Sequence, residues 1–460
     1  MKTFKPYNPD QLFLLPPALR DWLPEGHLAL FVSDVVDALD LTPIFAAYDT
    51  GDGRGQPPYH PALMVKLLVY AYCTGKPSSR RIEKATYEEV PYRVLATNQH
   101  PDHDSIAAFR QQHLPALAGL FTQVLALCRQ AGLVKLGHVA LDGTKVLANA
   151  SKHKAMSYGR MGEAERKLEQ EVAALLAQAQ QIDTAEDAQY GQGKRGDELP
   201  AELARRESRL AKIRAAKAAL EAEARAAAAR AAAVALAKLA ARQRQAETTD
   251  RKPPGCPPQV PDPAQATPDP KAQRNFTDPE SRIMKDGATK SFVQAYNAQV
   301  AVDGAAQVIV AATVTQAAND KQQLVPMLTE VGANCGAAPT VASADSGYFS
   351  EAAVTAPEVA ALDLYVPPDR QKHGEAPAPM PDDGTVIAAM RAKLQTTAGH
   401  AVYALRKAIV EPVFGQIKAA RGFRRFSFRG FRNVQAEWQV ICLTHNLLKL
   451  FRAGWTPQPA

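Results

Sequence analysis

The chain has 460 residues, of which 46% are hydrophobic and 22% charged, and its formal net charge is +7. This length allows roughly two to four domains, and the basic balance favours an anionic partner. Five scattered cysteines without a CxxC pair argue against a disulfide framework and a zinc knuckle. Because no apolar run approaches the roughly 18 residues of a membrane span, we expect a cytoplasmic protein that does not contact a membrane.

Residues 1–134 are predicted to form an all-helical N-terminal domain. Pro61–Cys73 is apolar nearly all round, as expected of a buried helix. A turn containing Gly and Pro ends it, and the next helix carries Arg80 and Arg81. This outline fits a DNA-binding helix-turn-helix or a plain αα-hairpin. The stretch Asp104–Gln130 is predicted to be one long amphipathic helix.

The hydrophobic period changes at His138. Apolar and β-branched residues flank Asp142 in HVALDGTKVLANAS, which predicts a strand buried on both faces, although a lone Asp-Gly is also common in hairpin turns. Residues 161–250 are rich in Ala, Glu, Lys and Arg with heptad-like Leu spacing, and predict a projecting helical hairpin. Many prolines make 251–271 a stiff linker. Strand-type sequence resumes afterwards, so hairpin and linker are predicted to be an insertion.

Four strands are predicted downstream of the insertion. Ser291–Ala301 and Gln307–Thr315 are β-branched runs joined by Asp-Gly, which indicates a β-hairpin. Pro339–Asp345 and Leu362–Val366 predict short buried strands separated by a helix. Helical crossovers make these last two strands parallel to the strand that holds Asp142. The prediction is therefore an α/β fold with a mixed five-stranded sheet.

The stretch Tyr403–Lys418 places one carboxylate, Glu411, among cations and aromatic residues. Tyr403, Glu411 and Lys418 share one face of a straight helix, but Pro412 predicts a kink or a restart there. Such a basic surface would attract a polyanion. The alternative is a solvated helix with an i,i+4 ion pair. The Lys and Arg residues from here to the following loop are Arg406, Lys407, Lys418, Arg421, Arg424, Arg425, Arg429 and Arg432.

Three carboxylates can meet in this topology. If the strand ending in Asp345 lies beside the strand of Asp142, the two acids lie near one edge of the sheet. The basic helix can then bring Glu411 over the same point. Three oxygen ligands without His or Cys select Mg²⁺ or Mn²⁺. Two such ions about 4 Å apart can activate a water or a 3′-hydroxyl for in-line attack on phosphorus.

The three motifs, in this order, resemble the DDE transposases of bacterial insertion sequences. One subgroup carries a Tyr-x₂-Arg-x₃-Glu-x₆-Lys signature around its last acid, and Tyr403, Glu411 and Lys418 match it. The basic position is shifted, because four residues separate Arg406 from Glu411 where the signature has three, and three residues separate Tyr403 from Lys407 where it has two. Its role in phosphate binding is assigned to Arg406 and Lys407 jointly.

The same resemblance places the other two acids and implies the fold and chemistry. Asp142 in LDGTKV and Asp345 in ADSGYF match the family's first two acids. A ribonuclease H-like catalytic domain is expected over 135–160 and 272–432, followed by a C-terminal helix and tail over 433–460. Two Mg²⁺ or Mn²⁺ ions are expected on the catalytic carboxylates, which are Asp142, Asp345 and Glu411. The expected reaction is cleavage at the ends of the element, followed by strand transfer into target DNA.

The resemblance also implies the partners. Double-stranded DNA, both the terminal inverted repeats and the target, would be bound by a dimer within the bacterial nucleoid. The Arg/Phe run after Lys418 would hold phosphates, with its phenylalanines available to stack a flipped base. The expected DNA contacts are Arg80, Arg81, Tyr403, Arg406, Lys407, Lys418, Arg421, Arg424 and Arg425. Two alternatives stay open: an inactive DNA-binding derivative, and a ribonuclease H-like nuclease without strand transfer.

Overall fold

The part of the chain before the first strand is helical. The computed structural model describes residues 18–48, 57–190, 201–249, 255–287, 289–369 and 384–457, with the side chains of 178–190, 201–203 and 249 outside the description. Within these ranges, 3₁₀-helices cover Leu19–Trp22 and Ala46–Tyr48. The helices are α1 (Leu28–Asp37), α2 (Thr42–Phe45), α3 (Pro61–Cys73), α4 (Ser79–Glu88), α5 (Val90–Leu95), α6 (His103–Gln112) and α7 (Leu114–Gln130), and strand β1 (His138–Leu147) follows them.

Helices α3 and α4 form the predicted helix–turn–helix pair. Most side chains of α3 are buried, in agreement with its apolar sequence. The turn needs glycine at Gly75, whose φ is +73° and whose Cβ would lie 2.5 Å from the backbone oxygen of Arg421. The single long helix predicted over Asp104–Gln130 is wrong. The chain forms α6 and α7 instead, because Pro115 lies in the first turn of α7 and cannot continue an earlier helix.

The chain divides into two compact units, residues 1–147 with 296–460, and residues 148–295. The elements of the second unit are β2 (Ala155–Ser157), α8 (Tyr158–Tyr190), α9 (Ala201–Thr249), β3 (Gln273–Asn275) and β4 (Arg282–Lys285). Helices α8 and α9 form the predicted hairpin around a small core that includes Met161, Leu210 and Ile213. Strands β2 and β3 pair antiparallel.

The described part of the Pro-rich segment does not stand free as a linker. A 3₁₀ turn at Pro263–Gln265 packs against α9, and Arg242 Nη2 donates a hydrogen bond of 2.7 Å to the carbonyl of Gly255. Proline favours an extended backbone, and here that extended backbone follows the long helix.

The remaining elements build the sheet and its covering helices. They are β5 (Phe292–Asp303), β6 (Val308–Thr315), α10 (Leu324–Cys335), β7 (Val341–Ser343), α11 (Glu351–Val354), β8 (Asp363–Tyr365), α12 (Val386–Gln395), α13 (Thr397–Gly415), a π-helical turn (Gln416–Ala420) and α14 (Phe431–Arg452). Short 3₁₀ turns cover Ser346–Tyr348 and Pro357–Val359.

In the first unit the strands follow the order β6-β5-β1-β7-β8. Strands β5 and β6 form the predicted antiparallel hairpin, and β7 runs parallel to both β1 and β8. The mixed five-stranded sheet predicted from sequence is therefore present in this unit. In the second unit β4 pairs with Phe292–Ala295 of β5, a strand that the sequence analysis did not predict.

Helix α14 lies at the centre of the first unit. It packs against α3, α7 and β6, and Asn446 exchanges two hydrogen bonds of 2.8 Å with the backbone of Ile309 in β6. The N-terminal helices and the sheet therefore share a core, and the structure does not separate the predicted domain at residues 1–134. None of the helices in the described ranges combines the length and hydropathy that crossing a membrane requires.

Candidate active site

Strand pairing brings Asp142 and Asp345 together. Strand β1 pairs with β7 in parallel, and the register joins Ala140 to Ser343. Continuing this register by two residues brings Asp142 level with Asp345, which immediately follows β7. Alternation along a strand points both side chains to the same side. The sequence-based expectation that these two carboxylates are neighbours agrees with this register.

Both carboxyl groups are held in an environment that opposes ionisation. The pKa of Asp142 is raised to about 6, mainly by burial and also by the charge of Asp345, while the Arg406 guanidinium acts in the opposite direction. Burial also raises the pKa of Asp345, against a hydrogen bond of 2.9 Å from the Gly347 N–H. The half-buried Lys145 supplies a second positive charge beside Asp345. The acids are therefore crowded, and two cations offset part of their repulsion.

Arg406 is the counter-ion of Asp142. Its Nη1 lies 3.3 Å from Asp142 Oδ2, the side chain is only 9% exposed, and the guanidinium lies 5.8 Å from the ring centroid of Tyr403. The expected phosphate contact at Arg406 does not agree with this buried position. Lys407 is exposed on the same helix, so of the two residues assigned jointly to phosphate binding it is the accessible one.

Helix α13 is continuous through Pro412, so the alternative that it restarts there is wrong, and the alternative that it kinks there stays a prediction. Proline removes one N–H, so the carbonyl of Ala408 loses its partner within the helix. Gln307, in the turn between β5 and β6, supplies a substitute: its Nε2 donates a hydrogen bond of 2.9 Å to this carbonyl. The helix then ends in the π turn Gln416–Ala420.

Lys418 attaches the end of this helical segment to β1. Its Nζ donates hydrogen bonds of 3.0 Å to Thr144 Oγ1 and to the carbonyl of Lys145. The segment is thus fixed to β1 at two points, through Arg406 and through Lys418. Glu411 lies between these points along the chain and is exposed. Within the described ranges, no group of three or more His, Cys, Asp or Glu side chains is arranged to hold a metal ion.

Asp320 is a further acid of this site, and the sequence analysis did not single it out. Its Oδ1 accepts hydrogen bonds of 2.6 Å from Asn297 Nδ2 and from Gln299 Nε2. Its charge raises the pKa values of both Asp142 and Asp345. Two buried amides two residues apart on β5 face the same side. Two amides on one face of a buried strand need a hydrogen-bond acceptor, so the Asn-x-Gln spacing in the sequence could have predicted one.

The network around Asp320 depends on a glycine beside the first acid. A Cβ at Gly143 would lie 2.3 Å from Gln299 Nε2 and 2.9 Å from Asp320 Oδ1. The hydroxyl of Tyr348 donates to Gln299 Oε1, and Trp438 Nε1 donates to the Gln299 carbonyl over 3.0 Å. Gly143 therefore lets β1 approach a network that also fixes the turn after Asp345.

The Arg/Phe run after the π turn divides into buried and exposed residues. Arg421 is 7% exposed, and its Nη1 donates a hydrogen bond of 2.7 Å to Thr444 Oγ1 of α14. Burial lowers its pKa to about 10. The expected DNA contact at Arg421 is wrong, because the guanidinium is enclosed by protein. Phe423 and Phe426 are also core residues, and they are not available to stack a base.

The remaining expected DNA contacts are accessible to different degrees. Tyr403 is half-buried, and burial raises its pKa. Residues Arg424 and Arg425 are exposed between the buried phenylalanines, and Arg80 and Arg81 are exposed on α4.

Comparison with known families gives two matches. The family model described as Transposase domain (DUF772) matches residues 17–112, the region of the N-terminal helices. The family model described as Transposase DDE domain matches residues 381–451, which include Tyr403, Glu411 and Lys418. No curated protein and no solved structure matches the chain. Both matched families consist of transposase domains, and together they confirm that this chain is related to the insertion-sequence DDE transposases.

Proposed function

We propose that this transposase cleaves DNA at the ends of an insertion sequence and joins the freed 3′ ends to target DNA, with Asp142, Asp345 and Glu411 as its catalytic acids. The observation that carries the proposal is the parallel pairing of β1 with β7, whose register brings two half-buried carboxylates level with each other. The helix fixed over them lies within the segment that matches the Transposase DDE domain.

The residues of the site fit divalent cations. Asp142 and Asp345 offer hard oxygen donors of the kind that Mg²⁺ and Mn²⁺ prefer. Their raised pKa values come from burial and from mutual repulsion, and a bound cation would relieve both effects. Glu411 would complete the ligand set for two ions. Such ions, when bound, would activate the attacking water or 3′-hydroxyl and stabilise the leaving oxygen.

The other residues of the helix would position the acids and the DNA. Arg406 holds the Asp142 carboxylate in place and balances part of its charge. Lys418 fixes the π turn against the strand that carries Asp142. Lys407, Arg424 and Arg425 expose cations on the same segment, where DNA phosphates would bind. We assign Tyr403 to a phosphate or DNA-end contact.

We assign recognition of the terminal inverted repeats to the N-terminal helices. Arg80 and Arg81 lie on the second helix of the α3–α4 pair and are exposed, as recognition residues must be. Pairing of the two ends requires at least a dimer in the DNA complex. Loss of end binding in an Arg80→Ala/Arg81→Ala variant that keeps its melting temperature would support this assignment, and unchanged end binding would refute it.

Cleavage of DNA that carries the element's own ends tests the catalytic proposal. We expect Mg²⁺- or Mn²⁺-dependent nicking at the boundary of the element, lost in Asp142→Ala, Asp345→Ala and Glu411→Ala with end binding retained. Glu358→Ala, which removes an exposed carboxylate, is the matched control. Binding without cutting by the wild type would favour an inactive DNA-binding protein. Cutting that ignores the ends, or that yields no joined product, would favour a nuclease.

A further inference from the structure

A second cationic site lies in the inserted unit, at the base of the helical hairpin. A cleft of about 530 Å³ opens between α9 and the residues around β2. No acid is among the lining residues that the structure describes. They are His153, Lys154, Ala155, Met156, Arg205, Ser208, Arg209, Lys212, Ile213 and Phe276.

The helix side of the cleft presents its cations in a row. Arg205, Arg209 and Lys212 are spaced i, i+4, i+7, so they lie on one face of α9. At 1.5 Å per residue they span about 10 Å of helix axis, which corresponds to about three successive phosphates on one DNA strand. All three are exposed. This spacing suits an extended polyanion better than one small anion.

The opposite side of the cleft is held rigidly. The Ser151 carbonyl accepts a hydrogen bond of 2.8 Å from Asn275 Nδ2, and the Lys154 carbonyl accepts one of 2.9 Å from the Phe276 N–H. The β2–β3 pairing continues the same attachment. His153 and Lys154 are therefore presented from a fastened loop, and little conformational entropy is lost when they bind.

Two acids of the hairpin are each engaged by two cations outside the cleft. Glu165 pairs with Arg214 and Lys217, and Glu223 pairs with Arg274 and Arg282. Among the described residues, no carboxylate forms an ion pair with Lys154, Arg209 or Lys212. The charges of Lys154, Arg209 and Lys212 are therefore left for an external partner, whereas Arg214, Lys217, Arg274 and Arg282 are neutralised within the unit.

We propose that this cleft binds the phosphate backbone of duplex DNA. The choice of DNA rests on the proposed function, and the cleft itself supplies charge without base-specific groups. Phosphate contacts of this kind give affinity and salt dependence but no sequence preference. The inserted unit would therefore bind DNA beside any sequence, either next to the element's ends or in the target.

The test compares two triple variants of the full-length protein. Lys154→Ala/Arg209→Ala/Lys212→Ala removes three cleft cations, and Arg225→Ala/Arg230→Ala/Lys238→Ala removes three exposed cations of α9 outside the cleft. Dissociation constants for a random-sequence duplex are measured at several salt concentrations. Each lost phosphate contact lowers the slope of log affinity against log salt by about 0.9. We expect the magnitude of this slope to decrease by about 2 to 3 in the cleft variant and by less than about 1 in the control.

Equal slopes in the two variants would overturn the proposal. If the cleft variant melts early, the single changes Arg209→Ala and Lys212→Ala replace it, each with an expected slope change of about 0.9. Polyglutamate serves as a second probe: binding of it that the cleft variant loses, with DNA slopes unchanged, would assign the cleft to an acidic protein instead. The comparison needs no cleavage, so it stands even if the proposed reaction fails.

Discussion

Replacing Asp142 by Asn should stabilise the folded protein at neutral pH while it abolishes cleavage. Burial raises the pKa of Asp142 from 3.8 to about 6, so the folded chain holds this proton more tightly than the unfolded chain. The corresponding stability is complete below the unfolded pKa and is lost as the pH rises through about 6. A difference of about 2 pKa units is worth about 3 kcal/mol.

Asparagine reproduces the protonated state of this residue. It is neutral and has nearly the same shape, and its single oxygen can accept the hydrogen bond from Arg406, while the one that Asp142 Oδ1 accepts from the Gly143 N–H is lost. At pH 7.5 we expect Asp142→Asn to exceed the wild type by about 3 kcal/mol in free energy of unfolding, and at pH 4 to match it within about 1 kcal/mol. Urea unfolding measures this, followed by tryptophan fluorescence, to which the buried Trp438 contributes.

Two controls separate this effect from a general change of charge. Glu358→Gln neutralises an exposed carboxylate of the same unit and should change the unfolding midpoint little at either pH. Millimolar Mg²⁺ should raise the midpoint of the wild type at pH 7.5, and that of Asp142→Asn much less, because a ligand stabilises only the state that binds it. An Asn variant no more stable than the wild type at pH 7.5 would refute the reasoning.

Three further predictions concern the supports of the site. Arg406→Met leaves Asp142 without its partner, so the free energy of unfolding, measured by thermal unfolding, should fall by about 3 to 5 kcal/mol at pH 8. The decrease should be smaller at pH 5, where the acid takes up a proton. Equal decreases at the two pH values would contradict the ion pair. Gln307→Ala should lower the free energy of unfolding by about 1 kcal/mol in the wild type. It should lower it little in the Pro412→Ala background, where a restored N–H at position 412 binds the same carbonyl. A double-mutant cycle, measured by urea unfolding, that finds no coupling between the two substitutions would refute this exchange. Asp320→Asn keeps an acceptor for its two amide donors, so it should retain its stability, and its cleavage rate should stay within about tenfold of the wild type. Asp320→Ala should lose about 2 to 4 kcal/mol of free energy of unfolding. A loss of cleavage in Asp320→Asn as large as in Asp142→Ala would show that the charge takes part in the reaction.

The sheet could be predicted from sequence because its signals are local. Runs of β-branched residues, a short Asp-Gly connection and helix-length crossovers determine which strands are antiparallel and which are parallel. The neighbouring positions of Asp142 and Asp345 follow from that topology alone. Pro115 shows the limit within this approach: the hydrophobic period continues through it, and only the missing N–H breaks the helix.

The cations could not be sorted from sequence because their roles depend on long-range packing. Arg406, Arg421 and Arg424 occur in one short basic stretch, yet the first pairs with Asp142, the second is buried against α14 and the third is exposed. The partners of the first two lie in distant segments. Asp320 was missed for the same reason, because its hydrogen-bond donors, Asn297 and Gln299, lie on strand β5, about 20 residues earlier in the chain.

The closed base of the inserted unit has a consequence for the order of folding. Its entry and exit are joined by a hydrogen bond of 2.9 Å from the Ala148 N–H to the Gln294 carbonyl. If the insertion were still unfolded, pairing β5 with β1 would close a loop of about 150 residues, at an entropic cost about 3 kcal/mol above that of a tight turn. Once the insertion has folded, its ends are already adjacent and that barrier disappears. We therefore expect the insertion to fold first, so that amide protons of α8 and α9 gain protection from exchange before those of β1 during refolding.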